Sequence, residues 1–168
     1  MMKKRYVWEN KSGWCVVDWT DSGLTGFDFG YDKKKNIINN GLKTVKIVKD
    51  LSSEAKWIRD AVAQIDAYFA GTGTSFMAPL DFSGATEYQQ RVWKACKKIP
   101  YGKTRTYTEL AAAAGAPRAS RATGSALGAN PLPVIVPCHR VLKTDGSLGG
   151  FSLGVDVKKK LLSIEKGE

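Results

Sequence analysis

The chain is predicted to be α+β. A small N-terminal α/β domain with an antiparallel sheet should occupy 1–80, and a mainly helical domain 81–168. Three observations predict this. Apolar and polar residues alternate at strand period before residue 48, and apolar residues then recur at helical spacing to Phe69. A Gly/Thr/Ser-rich stretch, Gly71–Ser75, has linker composition. Beyond it come short amphipathic segments punctuated by Gly and Pro, with cap signals at their starts.

The elements follow in order. Tyr6 and Trp8 alternate with polar neighbours as in a strand. Gly13–Trp19 is an almost unbroken apolar run, expected of a strand covered on both faces. Asp21-Ser22-Gly23 is a turn signal, and Leu24–Phe29 is its partner strand. Asp32–Lys35 reads as a charged turn and Thr44–Val48 as a β-branched strand. Trp57, Ile58, Ala61, Val62, Ile65, Tyr68 and Phe69 share one face of a helix predicted over Ser53–Phe69. In the second part, Tyr88, Val92, Trp93, Cys96 and Ile99 form a helix face that Pro100-Tyr101-Gly102 ends. Thr106 and Glu109 have capping-box spacing and open a helix over Tyr107–Ala114. Pro117 is suited to the first turn of another, to about Gly128, with Arg118 and Arg121 on one side. Two short helices across a Gly-containing turn predict a helix-turn-helix. The second of them is built almost wholly of small residues. Gly124 at its middle costs about 1 kcal/mol relative to alanine, so either tight helix packing or close approach to a nucleic-acid groove must offset it.

Composition bounds the function. Of 168 residues, 26 are basic and 16 acidic, a net charge of +10. Residues 81–168 carry 14 basic and 7 acidic side chains, and Arg91–Lys143 holds ten basic residues against Glu109 alone. A segment of one sign attracts polyanions, nucleic acid first among them. No apolar run reaches the length of a membrane span, and Met1–Asn10 lacks an apolar secretory core. Three scattered cysteines fit a reducing, cytoplasmic setting rather than a disulfide scaffold. Structural zinc takes four closely spaced nitrogen or sulfur ligands, and with a single histidine and three scattered cysteines no metal is expected.

That histidine, His139, follows Cys138 in Pro137-Cys138-His139-Arg140, at the end of the apolar run Val134-Ile135-Val136. A cysteine delivered by an apolar run, with a proline before it and a base and a cation after it, has the makings of a nucleophile. The expectation is an ionised sulfur at the mouth of a cavity. A carboxylate should orient the imidazole, and Asp145, Asp156 and Glu165 are the candidates downstream. Cys15 and Cys96 sit in apolar patterns and read as inert core residues.

The segment Pro133–Val141 resembles the active-site signature of the O6-alkylguanine-DNA alkyltransferases, the methylated-DNA–protein-cysteine methyltransferases. Thr86–Trp93, Ile99–Thr104, Thr106-Tyr107, Arg121–Gly124, Asn130-Pro131 and Gly149–Ser152 match that family in order and spacing, so the resemblance runs from about Pro79 to Glu165. Before Pro79 only the general layout agrees, that of a variable ribonuclease H-like α/β domain.

The resemblance implies a repair protein that acts without a cofactor, as a monomer, on double-stranded DNA containing O6-alkylguanine. The alkyl group would pass irreversibly to Cys138, once per chain. His139 would be a water-mediated base oriented by Glu165, and Asn130 would brace the nucleophile's turn. Tyr107 would displace a phosphate and contact the flipped guanine. Arg121 would enter from the minor groove and fill the vacated stack, with Thr86, Ala119, Ala122, Gly124 and Ser125 along the DNA face. Tyr107, Phe151 and the backbone of Cys138, Val141 and Ser152 would receive the base. Phe151 stands where the family commonly has tyrosine, and Leu153 where glycine is common. Some members bind zinc in the N-terminal domain, but here Cys15 is alone in that region with no histidine, so zinc is not expected.

Overall fold

Residues 2–32, 45–73 and 75–168 are described by a computed structural model. Lys33–Lys35 of the expected charged turn, Thr44 of the expected strand and Thr74 of the expected linker lie outside the described residues. The chain divides into two compact units, Met1–Phe82 and Ser83–Glu168.

In the first unit, β1 (Lys3–Asn10), β2 (Gly13–Thr20) and β3 (Gly23–Tyr31) form an antiparallel meander. β4 (Val45–Ile47) completes a sheet of order β3-β2-β1-β4. β4 runs parallel to β1, so the sheet is mixed and not purely antiparallel as the sequence led us to expect. β3 already runs parallel to β1, and a further parallel strand needs a crossover of about a dozen residues. The stretch between Tyr31 and Val45 supplies that length. β2 lies inside the sheet, and Cys15 through Trp19 are all buried, as a strand covered on both faces requires.

Helix α1 (Lys56–Phe69) buries Ile58, Ala61, Ile65, Tyr68 and Phe69 along one stripe. Its Asp66 accepts from Trp8 Nε1 and Asn10 Nδ2, both at 2.8 Å, which fixes it on β1. The helix begins three residues later than expected. Asp50 accepts from the Ser52 amide, and Arg59 Nη1 donates to the carbonyls of Ser52 and Glu54, so 50–54 close into a turn instead.

The second unit contains α2 (Glu87–Lys97), β5 (Arg105–Thr106), α3 (Tyr107–Ala113), α4 (Ser120–Gly128), β6 (Val141–Leu142) and α5 (Val155–Lys166). α2 and α3 both open with complete capping boxes, Thr86 with Gln89 and Thr106 with Glu109. α2 packs on α3 and α4, and β5 pairs in parallel with β6. Trp93 of α2 donates through Nε1 to the Ala126 carbonyl of α4 at 2.8 Å, and Tyr88 Oη meets Thr123 Oγ1 at 2.7 Å. Pro117 does not begin a helix. Ala119 N donates to Ala116 O, closing a turn, and Ala119 has non-helical φ −103°, ψ 31°, so α4 starts at Ser120. Arg118 and Arg121 therefore do not share one helix face. α5 ends at Lys166, where Gly167 caps it at φ 76°.

Candidate active site

The nucleophile's segment is shaped by a tight turn over Leu132–Val136. Val136 N donates to Leu132 O at 2.8 Å, and Val134 is held at φ 72°, a conformation costly for a β-branched residue. Asn130 locks the turn from within. Its Oδ1 accepts from Leu132 N at 3.0 Å, and its Nδ2 donates to Val136 O at 2.9 Å and to Cys138 Sγ at 3.2 Å. One amide thus fixes both the loop and the sulfur it presents. Cys138 opens a single 3₁₀ turn, Cys138–Arg140, against which α5 packs.

His139 is fully buried, and its Nε2 lies 2.6 Å from Glu165 Oε1. Of the three candidate carboxylates, the structure brings Glu165 to the imidazole. Asp145 instead accepts from Ser147 in an exposed turn, and Asp156 is exposed in the first turn of α5. Arg140 faces Glu165 as well. Its Nε reaches Oε1 at 3.0 Å and Oε2 at 2.9 Å, its Nη2 reaches Oε1 at 2.9 Å, and its Nη1 donates to Ile99 O at 2.6 Å. Gly102 N donates to Glu165 Oε2 at 3.0 Å.

These contacts set the charge states. Burial alone would raise the Glu165 carboxyl, but donors from His139, Arg140 and Gly102 hold it down to about 2. An ionised Glu165 can only accept, so His139 Nε2 carries the proton between them. Burial lowers the imidazole's own affinity for a second proton, against the pull of Glu165. His139 is therefore neutral at pH 7, with Nδ1 as its basic nitrogen. Burial pushes the Cys138 thiol up, while Asn130, the backbone N–H of His139 and the Lys158 ammonium oppose the rise. The resting sulfur is a thiol, not the ionised species expected, because Cys138 is only 4% exposed and desolvation outweighs its donors.

The sulfur does face a cavity, of about 610 Å³. Tyr107, Arg121, Gly124, Leu127, Phe151 and Ser152 line it together with Cys138. Tyr107 Oη donates to Gly150 O at 3.4 Å. Val141 is buried beside the 3₁₀ turn and does not line the cavity, nor do Thr86, Ala119, Ala122 and Ser125. Arg121, Ala122 and Ser125 are exposed along α4, and the Thr86 hydroxyl caps α2. Gly124 is not required by packing. A Cβ there would meet only the Tyr107 ring, at 3.7 Å, an ordinary contact.

Two side chains escaped the sequence reading. Arg140, in the sequence no more than a cation beside the histidine, is the principal partner of Glu165. Lys158 of α5 is fully buried and donates to Val141 O at 2.6 Å and to Leu148 O. Its ammonium lies 5.9 Å from the Tyr107 ring centroid. The available signal was helical phase, since 158, 161 and 165 fall on one face of α5 with Leu161 and Glu165. Among the described residues no cluster of three or more His, Cys, Asp or Glu could hold a metal ion.

Similarity to known proteins follows the same lines. The description "6-O-methylguanine DNA methyltransferase, DNA binding domain" matches residues 87–167. The methylated-DNA–protein-cysteine methyltransferase of Methanosarcina barkeri is 40% identical over 158 residues, covering 94% of both chains. That of Mycobacterium bovis is 54% identical over 106 residues, 63% of this chain and 64% of its own. Among solved structures, Mycobacterium tuberculosis OGT in complex with DNA superposes with a TM-score of 0.82 at 37% identity, over 98% of this chain and 93% of its own. The O6-methylguanine-DNA methyltransferase of Pyrococcus kodakaraensis gives 0.67 at 29% identity, over 96% and 98%. With that identity across nearly its whole length, the chain belongs to the methylated-DNA–protein-cysteine methyltransferase family.

Proposed function

We propose that this chain repairs DNA by taking the alkyl group from guanine O6 onto Cys138, once per molecule. The observation that carries the reading is the sulfur itself, at the wall of a cavity of about 610 Å³ with room for an extruded base, 3.2 Å from Asn130 Nδ2 and next in sequence to a buried His–Glu–Arg relay. An alkyl carbon on O6 lies within the base stack, so the nucleotide must be extruded to meet the sulfur. α3 and α4 act as a helix-turn-helix that enters the minor groove. Arg121, exposed at the cavity's edge, fills the space the base leaves. The small exposed face of α4, with Ala122, Gly124 and Ser125, lets the backbone approach the groove, with Thr86 and Ala119 at its margins.

In the reaction the Sγ–alkyl bond forms as the alkyl–O6 bond breaks. The thiol proton leaves through a water to His139 Nδ1, and the Glu165 carboxylate, held by Arg140 and Gly102, balances the charge on the imidazole. Guanine departs with the bonding electron pair and takes up one proton, assisted by the Tyr107 hydroxyl. The net change moves the alkyl group to sulfur and the thiol proton to guanine, so no cofactor is needed. Tyr107, Phe151, Ser152 and the backbone at Cys138 hold the base. Asn130 and Lys158 are positioning residues. The thioether has no means of reversal, so the chain acts as a single-use monomer. The first unit is a ribonuclease H-like domain that carries no part of the chemistry, and the protein works in the cytoplasm.

The test is intact mass. On incubation with duplex DNA carrying O6-methylguanine, each chain should gain one methyl group at Cys138, and Cys138→Ala should gain none. Unchanged mass with the lesion still present refutes the reading. So does repair that continues past one equivalent per chain.

A further inference from the structure

A second concavity, of about 510 Å³, lies between α2 and α3. Arg91, Lys94 and Lys98 edge it from the α2 side and Arg105 from the other, over a floor that includes Ile99 and Leu110. One carboxylate, Glu109, faces these four cations. Glu109 is already engaged with its own helix cap and with Arg105 at 3.5 Å, and Arg91 meets Glu87 at 3.2 Å. Both are exposed pairs, which hold their partners weakly. Among the described residues Lys94 and Lys98 have no carboxylate within 4 Å, and both are exposed.

The floor offers no large apolar anchor, because Ile99 is 4% and Leu110 2% exposed before anything binds and the remaining apolar lining is alanine. The attraction of this groove is thus electrostatic, and its occupant is a polyanion. Arg91, Lys94 and Lys98 stand at i, i+3 and i+7, a stripe about 10 Å long. One strand of DNA presents a charge roughly every 3.4 Å along its axis, so the stripe matches about three phosphates. The groove is also apart from the nucleophile's cavity. On α3, Thr108 lines that cavity and meets Ser120 of α4 at 3.3 Å. Leu110, two residues on and so about 200° round the helix, lines the groove.

We propose that this groove holds the backbone of a second DNA segment, so that one chain spans two stretches of duplex and can pass between them while searching. The inference rests on the proposed function only in taking the α4 side as the first DNA site.

The experiment uses the full chain, a bead-borne unmodified duplex and a fluorescent unmodified duplex, at low salt. The wild-type chain should retain the fluorescent duplex on the beads. K94E/K98E should lower that retention about tenfold while alkyl transfer to a short O6-methylguanine duplex stays within about twofold. Circular dichroism checks that the variant is folded. Undiminished retention by a folded variant overturns the proposal. Transfer that falls in step with retention also overturns it, since the groove would then belong to the first duplex. Dimers of the free chain in sedimentation would explain bridging without the groove, and an acidic Glu/Leu peptide that outcompetes DNA would make it a peptide site. Absent alkyl transfer with retention intact would refute the proposed function and leave this inference standing.

Discussion

Replacing Glu165 with Gln tests the relay most directly. The Glu165 side chain is 1% exposed, and its carboxylate accepts from His139, Arg140 and Gly102. The amide keeps the shape and removes the charge. Arg140, 4% exposed, is then left with the Ile99 carbonyl and no counter-ion. Removing one partner of a buried ion pair costs about 3–5 kcal/mol. The pH dependence gives a second measure. Glu165 is held at about 2 against an ordinary value of 4.5, worth on the order of 3 kcal/mol. Because the folded value is the lower one, that stability is present above pH 4.5 and is lost as pH falls toward 2. The wild-type advantage over Glu165→Gln should therefore be full at neutral pH and shrink through that window.

The assay can be confined to the second unit. Trp93 is the one tryptophan beyond residue 82, and it bonds α2 to α4. Fluorine NMR of 5-fluorotryptophan-labelled chain in urea follows that resonance separately from the other four. Alkyl transfer at pH 7 should slow roughly tenfold to a hundredfold, since the imidazolium loses its balancing charge. A variant as stable as wild type at pH 7, or a difference that does not shrink in acid, would refute the reasoning.

Three other substitutions probe the cavity. Lys158→Met keeps the buried stem but removes the ammonium that favours the thiolate; transfer at pH 7 should fall about tenfold and the pH–rate limb move to higher pH, whereas an equal loss at every pH would mean packing alone. Gly149 has φ 67°, and a Cβ there would lie 3.0 Å from Tyr107 Oη, so Gly149→Ala should slow transfer in wild type and much less in a Tyr107→Ala background. Gly124→Ala should raise thermal stability by up to about 1 kcal/mol while weakening binding to duplex DNA, because its Cβ finds room inside the protein; unchanged DNA affinity would show that the glycine serves neither role.

The strands, the two capped helices and the Cys138–His139 pair were legible because each is a local pattern. Thr106 with Glu109 specifies a helix start wherever it lies, and Gly13–Trp19 can only be an interior strand. What failed was non-local or competed for. The direction of β4 depends on the connection before it, which no periodicity describes. Pro117 fits a first helical turn, yet the Ala116–Ala119 turn took its place. Lys158 stands in a run of three lysines that reads as a solvated face. Lys159 and Lys160 are indeed exposed, and only the phase of α5 separates the buried one from them.

The resting thiol has a consequence for how the sulfur is activated. The donors that favour a thiolate, Asn130 and Lys158, are fixed by other bonds and do not strengthen when the cavity fills. A purine in the cavity displaces water from the sulfur's open side and raises the cost of a free charge there. Ionisation ahead of attack therefore becomes harder as substrate binds. In the proposed reaction, proton removal by His139 must accompany formation of the sulfur–carbon bond, and the proton acquired by guanine completes the charge balance. The buried relay suits this demand. When His139 gains a proton the Glu165 carboxylate offsets the charge without moving, because contacts of 2.6–3.0 Å to His139 and Arg140 hold it in place.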